Sequence, residues 1–161
     1  MTTPPKTLLD MAGATPTTAR FSDAILLIID AQREYVDGSL PLAGMHEALS
    51  IGGTLLQRAR DAGTPVVHVL HRGSGQFFNP ARTGFQPVVE KTLANSFVGT
   101  ELEEVLARSG RKNLIVIGFM THNCVSSTVR AAKDRGYTLT VVAPATATRD
   151  LPDGRGGTIP A

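Results

Sequence analysis

Short apolar runs alternate with longer segments of mixed polarity along the chain. Residues 24–30 carry five successive Ile and Leu residues before a carboxylate, which is typical of a strand buried on both faces of a parallel sheet. Residues 44–62 have apolar positions at helical spacing, although Gly52 and Gly53 interrupt them. We predict strands over 24–30, 66–70, 88–91, 113–118 and 137–143, and helices over 44–62, 100–108 and 123–135. This alternation predicts an α/β fold with a mostly parallel sheet between two layers of helices.

The segments around these elements predict the domain organisation. Residues 1–20 are rich in Pro and Thr, and we expect an extended arm; residues 21–145 form the domain, and 146–161 an irregular tail. Thr100 is predicted to cap the helix over 100–108, with Glu103 as its capping-box partner. The irregular stretch 71–87 is long for a loop inside a compact domain, and loops of this length are usually functional or disordered.

Composition narrows the class of protein. The 161 residues, 42% hydrophobic and 19% charged, are enough for one globular domain with a real core. The net charge is +2, with no basic block and no interleaving of aromatic and basic residues, so we expect no nucleic-acid partner. No signal-peptide pattern is present and no apolar run reaches the roughly 18 residues of a membrane helix. The single cysteine cannot form an intrachain disulfide or a cysteine-based zinc finger, and it predicts a reducing, cytoplasmic location.

Three chemically apt residues follow predicted strands. Asp30 closes the first strand, Lys91 the third, and Cys124 follows the fourth where a helix should begin. Because ligands of open α/β sheets bind beyond the carboxyl ends of the strands, these side chains are candidates for one site. A helix N-terminus lowers the pKa of a thiol, which favours Cys124 as a nucleophile. The alternatives are a helix cap for Asp30, a solvated surface lysine, and a small core cysteine.

Three motifs carry a resemblance to a known family. They are IIDAQREY at 28–35, EKTLANSF at 90–97 followed by Gly99 and Thr100, and GFMTHNCV at 118–125 followed by Thr128 and Ala131. Together they resemble the isochorismatase-like cysteine hydrolases over about residues 22–148. The resemblance implies a three-layer αβα, Rossmann-like fold.

The resemblance also implies a catalytic triad. Asp30 would accept the thiol proton and later protonate the leaving group, and Lys91 would hold the thiolate and lower the thiol pKa. Cys124 would attack a carbonyl carbon, and water would hydrolyse the resulting thioester. A non-proline cis peptide between Phe119 and Met120 would turn the Met120 and Cys124 N–H groups toward the oxyanion. Substrate-binding candidates are Gln32, Tyr35 and Phe97, with Phe85, Asn95 and His71 as further candidates on nearby loops.

Departures within the family narrow the reaction. Its nicotinamidases bind a divalent metal through an Asp-x-His pair and a later His, whereas no carboxylate stands near His68 and His71 here. Those two histidines would lie on opposite faces of a strand, so we predict no metal and no cofactor. Relatives that cleave the vinyl ether of isochorismate lack the cysteine at position 124. Cys124 therefore favours hydrolysis of a small-molecule amide (a carboxamide, carbamoyl or ureido compound) over vinyl-ether cleavage.

Two other classes remain open: a binding or scaffold protein of the same fold without turnover, and a thiol redox protein. The latter would need an external thiol, because the chain has no second cysteine. Relatives also continue with a helix and a sixth strand, which the Gly- and Pro-rich residues 146–161 cannot supply. Either the chain is a truncated form, or a partner subunit covers the exposed face; we predict a homo-oligomer.

Overall fold

The computed structural model describes residues 4–73, 75, 78 and 84–161. Five parallel strands form a central sheet in the order β3-β2-β1-β4-β5. The strands are β1 Ala24–Ile29, β2 Val66–His71, β3 Val88–Lys91, β4 Asn113–Phe119 and β5 Thr138–Ala147. The helices are α1 Leu8–Met11, α2 Met45–Asp61, α3 Leu102–Ala107 and α4 Ser126–Asp134. The predicted α/β architecture is confirmed.

Alternation along β1 divides the core into two layers. Ala24, Leu26 and Ile28 pack with α2 on one face of the sheet. Ile25, Leu27 and Ile29 pack with α3 and α4 on the other. All six β1 residues are buried because both faces are covered by helices, which explains the continuous apolar run.

The two glycines inside α2 do not break the helix. A Cβ at Gly52 would lie 3.4 Å from Cδ1 of Ile117 in β4, so a glycine there lets the helix pack closely on the sheet. Among the described residues, a Cβ at Gly53 would meet the ring of Phe78 alone, at 3.7 Å. Packing against the sheet therefore outweighs the weak helix propensity of glycine.

Two predicted helix starts are wrong in detail. Helix α3 begins at Leu102, two residues after the predicted start. The Thr100 hydroxyl accepts a hydrogen bond from the Leu102 N–H and donates one to the backbone oxygen of Ser96. The predicted capping box does not form because Glu103 pairs with Arg135, the residue that follows α4, at 3.1 Å. Before α4, residues Thr121–Val125 form one wide, π-helical turn.

The chain ends also differ from the expected extended arm and irregular tail. The one-turn helix α1 interrupts the arm. Strand β5 runs four residues past its predicted end, and the chain then forms an antiparallel pair, β6 Leu151–Pro152 and β7 Thr158–Ile159. The domain boundaries stay a prediction. Among the described residues, no helix is both long and apolar enough to cross a membrane.

Candidate active site

The candidate residues meet at the carboxyl edge of the sheet. Lys91 is the last residue of β3, His71 the last of β2, and Asp30 directly follows β1. Cys124 lies in the turn after β4. The connections reverse direction between β1 and β4, so the cluster occupies the switch point where ligands bind in open α/β sheets.

Lys91 holds the cluster together. Alternation in β3 points its side chain to the same face as Val89, toward the core that contains Cys124. Its ammonium nitrogen lies 2.7 Å from Oδ2 of Asp30 and 3.3 Å from Sγ of Cys124. The side chains of Lys91 and Asp30 have no exposed surface. A buried ion pair of this kind is costly to desolvate, so the pair is more readily explained by chemistry than by stability.

Asp30 reaches this pair because the backbone leaves the strand conformation there. Since Ile29 faces the α3 and α4 side, alternation would turn residue 30 toward α2. Asp30 instead has a left-handed φ of 49°, the one described non-glycine residue with a positive φ, while its N–H still bonds Val69 O at 2.9 Å. Aspartate tolerates this region better than most residues, and strained backbone of this kind clusters at functional sites.

The turn that carries Cys124 begins with a close contact between β4 and β1. Gly118 has a φ of 127°, and a Cβ there would lie 1.9 Å from the backbone oxygen of Ile29. Only glycine fits this position. The peptide bond between Phe119 and Met120 is cis, as the resemblance implied. Met120 O then accepts hydrogen bonds from the N–H groups of Asn123 and Val125, which closes the turn.

The electrostatics contradict the predicted acidic thiol. Burial, with the neighbouring Asp30 carboxylate, raises the pKa of Cys124 to about 11, and the charge of Lys91 only partly offsets this. Burial also raises the pKa of Asp30, against the lowering effect of Lys91. The helix position and the charge of Lys91 both lower the thiol pKa, but desolvation outweighs them because Cys124 is only 3% exposed. Cys124 therefore rests as a thiol beside a carboxylate whose affinity for protons is increased.

Tyr35 lies beside the triad, and Gln32 contacts the backbone of His71. The Tyr35 ring packs 6.3 Å from that of Phe119, and its pKa is raised by burial and by the charges of Asp30 and Cys124. Gln32 is fully buried, and its side-chain amide bonds both backbone groups of His71: Oε1 accepts from the N–H at 2.8 Å and Nε2 donates to the oxygen at 2.9 Å. Gln32 therefore fixes the end of β2, and the expectation that it lines the substrate pocket is not supported.

The other predicted pocket residues make contacts within the protein. Phe97 packs in the core below α4, with the Arg135 guanidinium 4.6 Å from its ring centre. Asn95 accepts a hydrogen bond from the Phe97 N–H and shapes the loop after β3. Phe85 bonds the N–H of Val66, the first residue of β2, so it lies at the opposite edge of the sheet. Side-chain direction on a loop depends on such tertiary contacts, which the sequence does not show.

His71 is the fourth member of the cluster. Its Nδ1 lies 3.2 Å from the Lys91 ammonium, and ligating atoms of Asp30, His71 and Cys124 lie within 4.8 Å of one another. The cation in this group is the Lys91 ammonium, which contacts all three residues. His68 lies on the opposite face as predicted, where burial lowers its pKa to about 4. The register pairing of His71 with Lys91 could have found this residue, had the strand ends been known.

An open cavity of about 500 Å³ adjoins the turn. Thr121, Gly44 and Thr148 are among its lining residues, but no member of the triad is. This cavity is therefore separate from the cluster of Asp30, Lys91 and Cys124.

Comparisons with known proteins agree with this architecture. A crystal structure of an isochorismatase from Pseudomonas putida is 43% identical, with a TM-score of 0.89 over 98% of this chain and 87% of that one. The secreted isochorismatase effector Isc1 of Verticillium dahliae is 35% identical over 88% of this chain and 82% of its own length. An N-carbamoylsarcosine amidase from Thermoplasma acidophilum is 25% identical, with a TM-score of 0.73 over 81% of this chain and 87% of that one. The isochorismatase-domain family model matches residues 24–155, and the chain belongs to this family of hydrolases.

Proposed function

We propose that this protein is a metal-independent cysteine hydrolase that cleaves a small-molecule carboxamide, carbamoyl or ureido compound. The observation that carries the proposal is the buried contact of one ammonium with both a carboxylate and a thiol, at 2.7 and 3.3 Å. The similarity to an amidase from Thermoplasma acidophilum supports the reaction class.

The first chemical step moves a proton inside the site. Cys124 gives its proton to Asp30 as its sulfur attacks the amide carbon, and the carbonyl oxygen becomes an oxyanion. Before and after this step the site holds one negative charge, first on Asp30 and then on the oxyanion, and the one positive charge of Lys91. The raised thiol pKa is compatible with this step, because that pKa describes loss of the proton to water, which would leave two buried anions beside one cation.

The later steps return the proton. The tetrahedral intermediate breaks its C–N bond, Asp30 protonates the leaving nitrogen, and an acyl thioester remains on Cys124. Asp30 then takes a proton from water, whose oxygen attacks the thioester carbon. The second tetrahedral intermediate breaks its C–S bond and releases the acid, and Asp30 returns its proton to the sulfur of Cys124. The N–H groups of Met120 and Cys124 are the proposed donors to the oxyanion in both halves of the reaction.

The test is release of ammonia from a panel of carboxamides, carbamoyl amino acids and ureido acids. Wild type is expected to release ammonia from at least one class, and acid-quenched protein should carry an acyl mass on its single cysteine. The variant Cys124→Ala should lose turnover and keep its circular dichroism spectrum. Turnover that survives in Cys124→Ala, or a wild type inert toward the whole panel, would contradict the proposal and favour a scaffold role.

We also propose a cytoplasmic location, supported by the single thiol that the mechanism requires in its reduced form. The similar protein Isc1 of Verticillium dahliae is described as a secreted effector, so the location needs a direct test. Fractionation of cells that express the native gene with a C-terminal tag tests the location. Recovery of the protein in the medium would contradict the proposal.

A further inference from the structure

The Lys91 side chain crosses the end of a neighbouring strand to reach its partners. Lys91 ends β3, whereas Asp30 follows β1, and β2 lies between them. Two strand spacings amount to roughly 10 Å, so the lysine must extend across the end of β2. The residue at that end is His71, which is also the register partner of Lys91. The topology therefore places the imidazole beside the path of the lysine.

The ammonium of Lys91 has three N–H groups and three neighbours that can accept them. These are Oδ2 of Asp30 at 2.7 Å, Nδ1 of His71 at 3.2 Å and Sγ of Cys124 at 3.3 Å. An ammonium group with no exposed surface needs all three hydrogen bonds satisfied. Because Nδ1 must accept, the network assigns the histidine proton to Nε2.

The backbone of His71 is itself held in place. Its N–H and C=O both bond the side-chain amide of the buried Gln32, at 2.8 and 2.9 Å. The strand end therefore cannot shift without breaking two hydrogen bonds inside the protein. This arrangement fixes the imidazole, and through it the lysine.

We propose that His71 is a positioning residue that holds the Lys91 ammonium between Asp30 and Cys124 by accepting its third hydrogen bond at Nδ1. Without this acceptor, the ammonium would turn toward another partner and its alignment with the thiol would weaken. The effect on Cys124 does not depend on the substrate, whereas the effect on turnover rests on the proposed function.

Among the residues that the structure describes, the titratable groups that face His71 come from three elements. They are Asp30 after β1, Lys91 in β3 and Cys124 in the turn before α4. The charged groups of Arg72 and Glu90, neighbours of His71 and Lys91 in sequence, pair with each other at 3.6 Å on the exposed surface. Changes in thiol ionisation after substitution of His71 can therefore be assigned to this buried cluster.

Three variants separate positioning from a merely structural role. His71→Leu removes the acceptor, whereas His71→Asn presents a side-chain oxygen near the place of Nδ1. His68→Leu is the matched control, since it changes a histidine of the same strand that faces the other side of the sheet. The readout is the ultraviolet absorbance of the thiolate against pH, with Cys124→Ser subtracted, together with the rate of alkylation by iodoacetamide.

We expect His71→Leu to raise the thiol pKa and to slow alkylation at fixed pH by at least about tenfold, the equivalent of one pKa unit. His71→Asn should stay within about threefold of wild type, and His68→Leu should leave the profile unchanged even if it lowers the melting temperature. An unchanged profile in His71→Leu overturns the proposal. So does an equal shift in His71→Asn and His71→Leu.

If His71→Leu does not fold, Gln32→Ala gives a second route, because it releases the backbone and keeps the imidazole. A shift of the thiol profile in the same direction supports the proposal, and an unchanged profile overturns it. Where a substrate is found, kcat should fall in His71→Leu while KM stays near the wild-type value. Failure of every substrate would leave the thiol measurements valid, so the two proposals can fail separately.

Discussion

Replacing Lys91 with methionine should make the stability of the protein depend on pH in a specific way. The substitution keeps the volume of the side chain and removes the one cation beside the buried Asp30. Breaking a buried ion pair from one side costs about 3–5 kcal/mol when the remaining charge cannot escape. Asp30 can become neutral by taking up a proton, and the free energy of this protonation sets an upper limit on the loss of folding stability.

The limit follows from the proton linkage. The folded pKa of Asp30 is raised, so its protonated form favours the folded chain, and stability falls as pH rises from the ordinary pKa to the folded one. The charge of Lys91 lowers the folded pKa of Asp30 toward its ordinary value. The substitution Lys91→Met removes this charge, so the folded pKa of Asp30 should rise further. The ordinary pKa of about 3.9 lies about three units below neutrality, and each unit is worth about 1.4 kcal/mol. The deficit of the variant should be near zero at about pH 4 and at most about 4 kcal/mol at pH 7.

Urea unfolding followed by circular dichroism measures this deficit, because the chain has no tryptophan for fluorescence. Wild type and variant are compared at about pH 4.5, 6 and 7.5 in the same buffer series. Arg72→Met is the matched control, since it removes an exposed cation paired with Glu90 and should cost less than about 1 kcal/mol at every pH. A deficit of Lys91→Met that is constant with pH, or larger in acid, would refute the reasoning.

Three further outcomes are expected. Asp30→Asn should lower the pKa of the Cys124 thiol from about 11, because the Asp30 carboxylate raises it. Iodoacetamide should therefore label Cys124 faster than in wild type, while amide turnover is lost; slower labelling would contradict this. Gly53→Ala should stabilise α2 by up to about 1 kcal/mol in thermal unfolding, whereas Gly118→Ala should fail to fold. A melting temperature of Gly118→Ala equal to that of wild type would show that the contact between β1 and β4 is not tight. Light scattering at micromolar concentration should show a homo-oligomer, since β5 is an edge strand with exposed apolar residues, and a sharp monomer peak would refute this.

The sequence predicted the elements that local patterns determine. The continuous apolar run of β1 and the residues that follow the predicted strands led to the correct sheet and to three of the side chains that meet at its carboxyl edge. Residues whose side chains depend on distant partners were not predictable. Gln32 bonds the backbone of His71, 39 positions away, and Glu103 bonds Arg135 instead of capping its own helix. The period of a strand or helix does not contain this information.

The prediction of a lowered pKa for the Cys124 thiol was wrong for a related reason. A helix start and a nearby lysine both favour a thiolate, and both are visible in the sequence. The amount of surface that folding removes from the sulfur is a property of the whole assembled sheet, and it outweighs them. The same holds for His71, whose contact with Lys91 requires that β3 and β2 be adjacent and in register.

Because Cys124 is the only cysteine and is almost completely buried, it also records whether the chain is folded. In the open chain the thiol regains its ordinary pKa, about two units below the folded value of about 11, so near neutrality its thiolate fraction is roughly 100-fold greater than in the folded chain. Each opening of the sheet then exposes a fast-reacting sulfur, and a dilute alkylating reagent would count such openings under native conditions, as amide hydrogen exchange does. The proposed nucleophile thus also reports the unfolding of the chain, with no probe to be engineered.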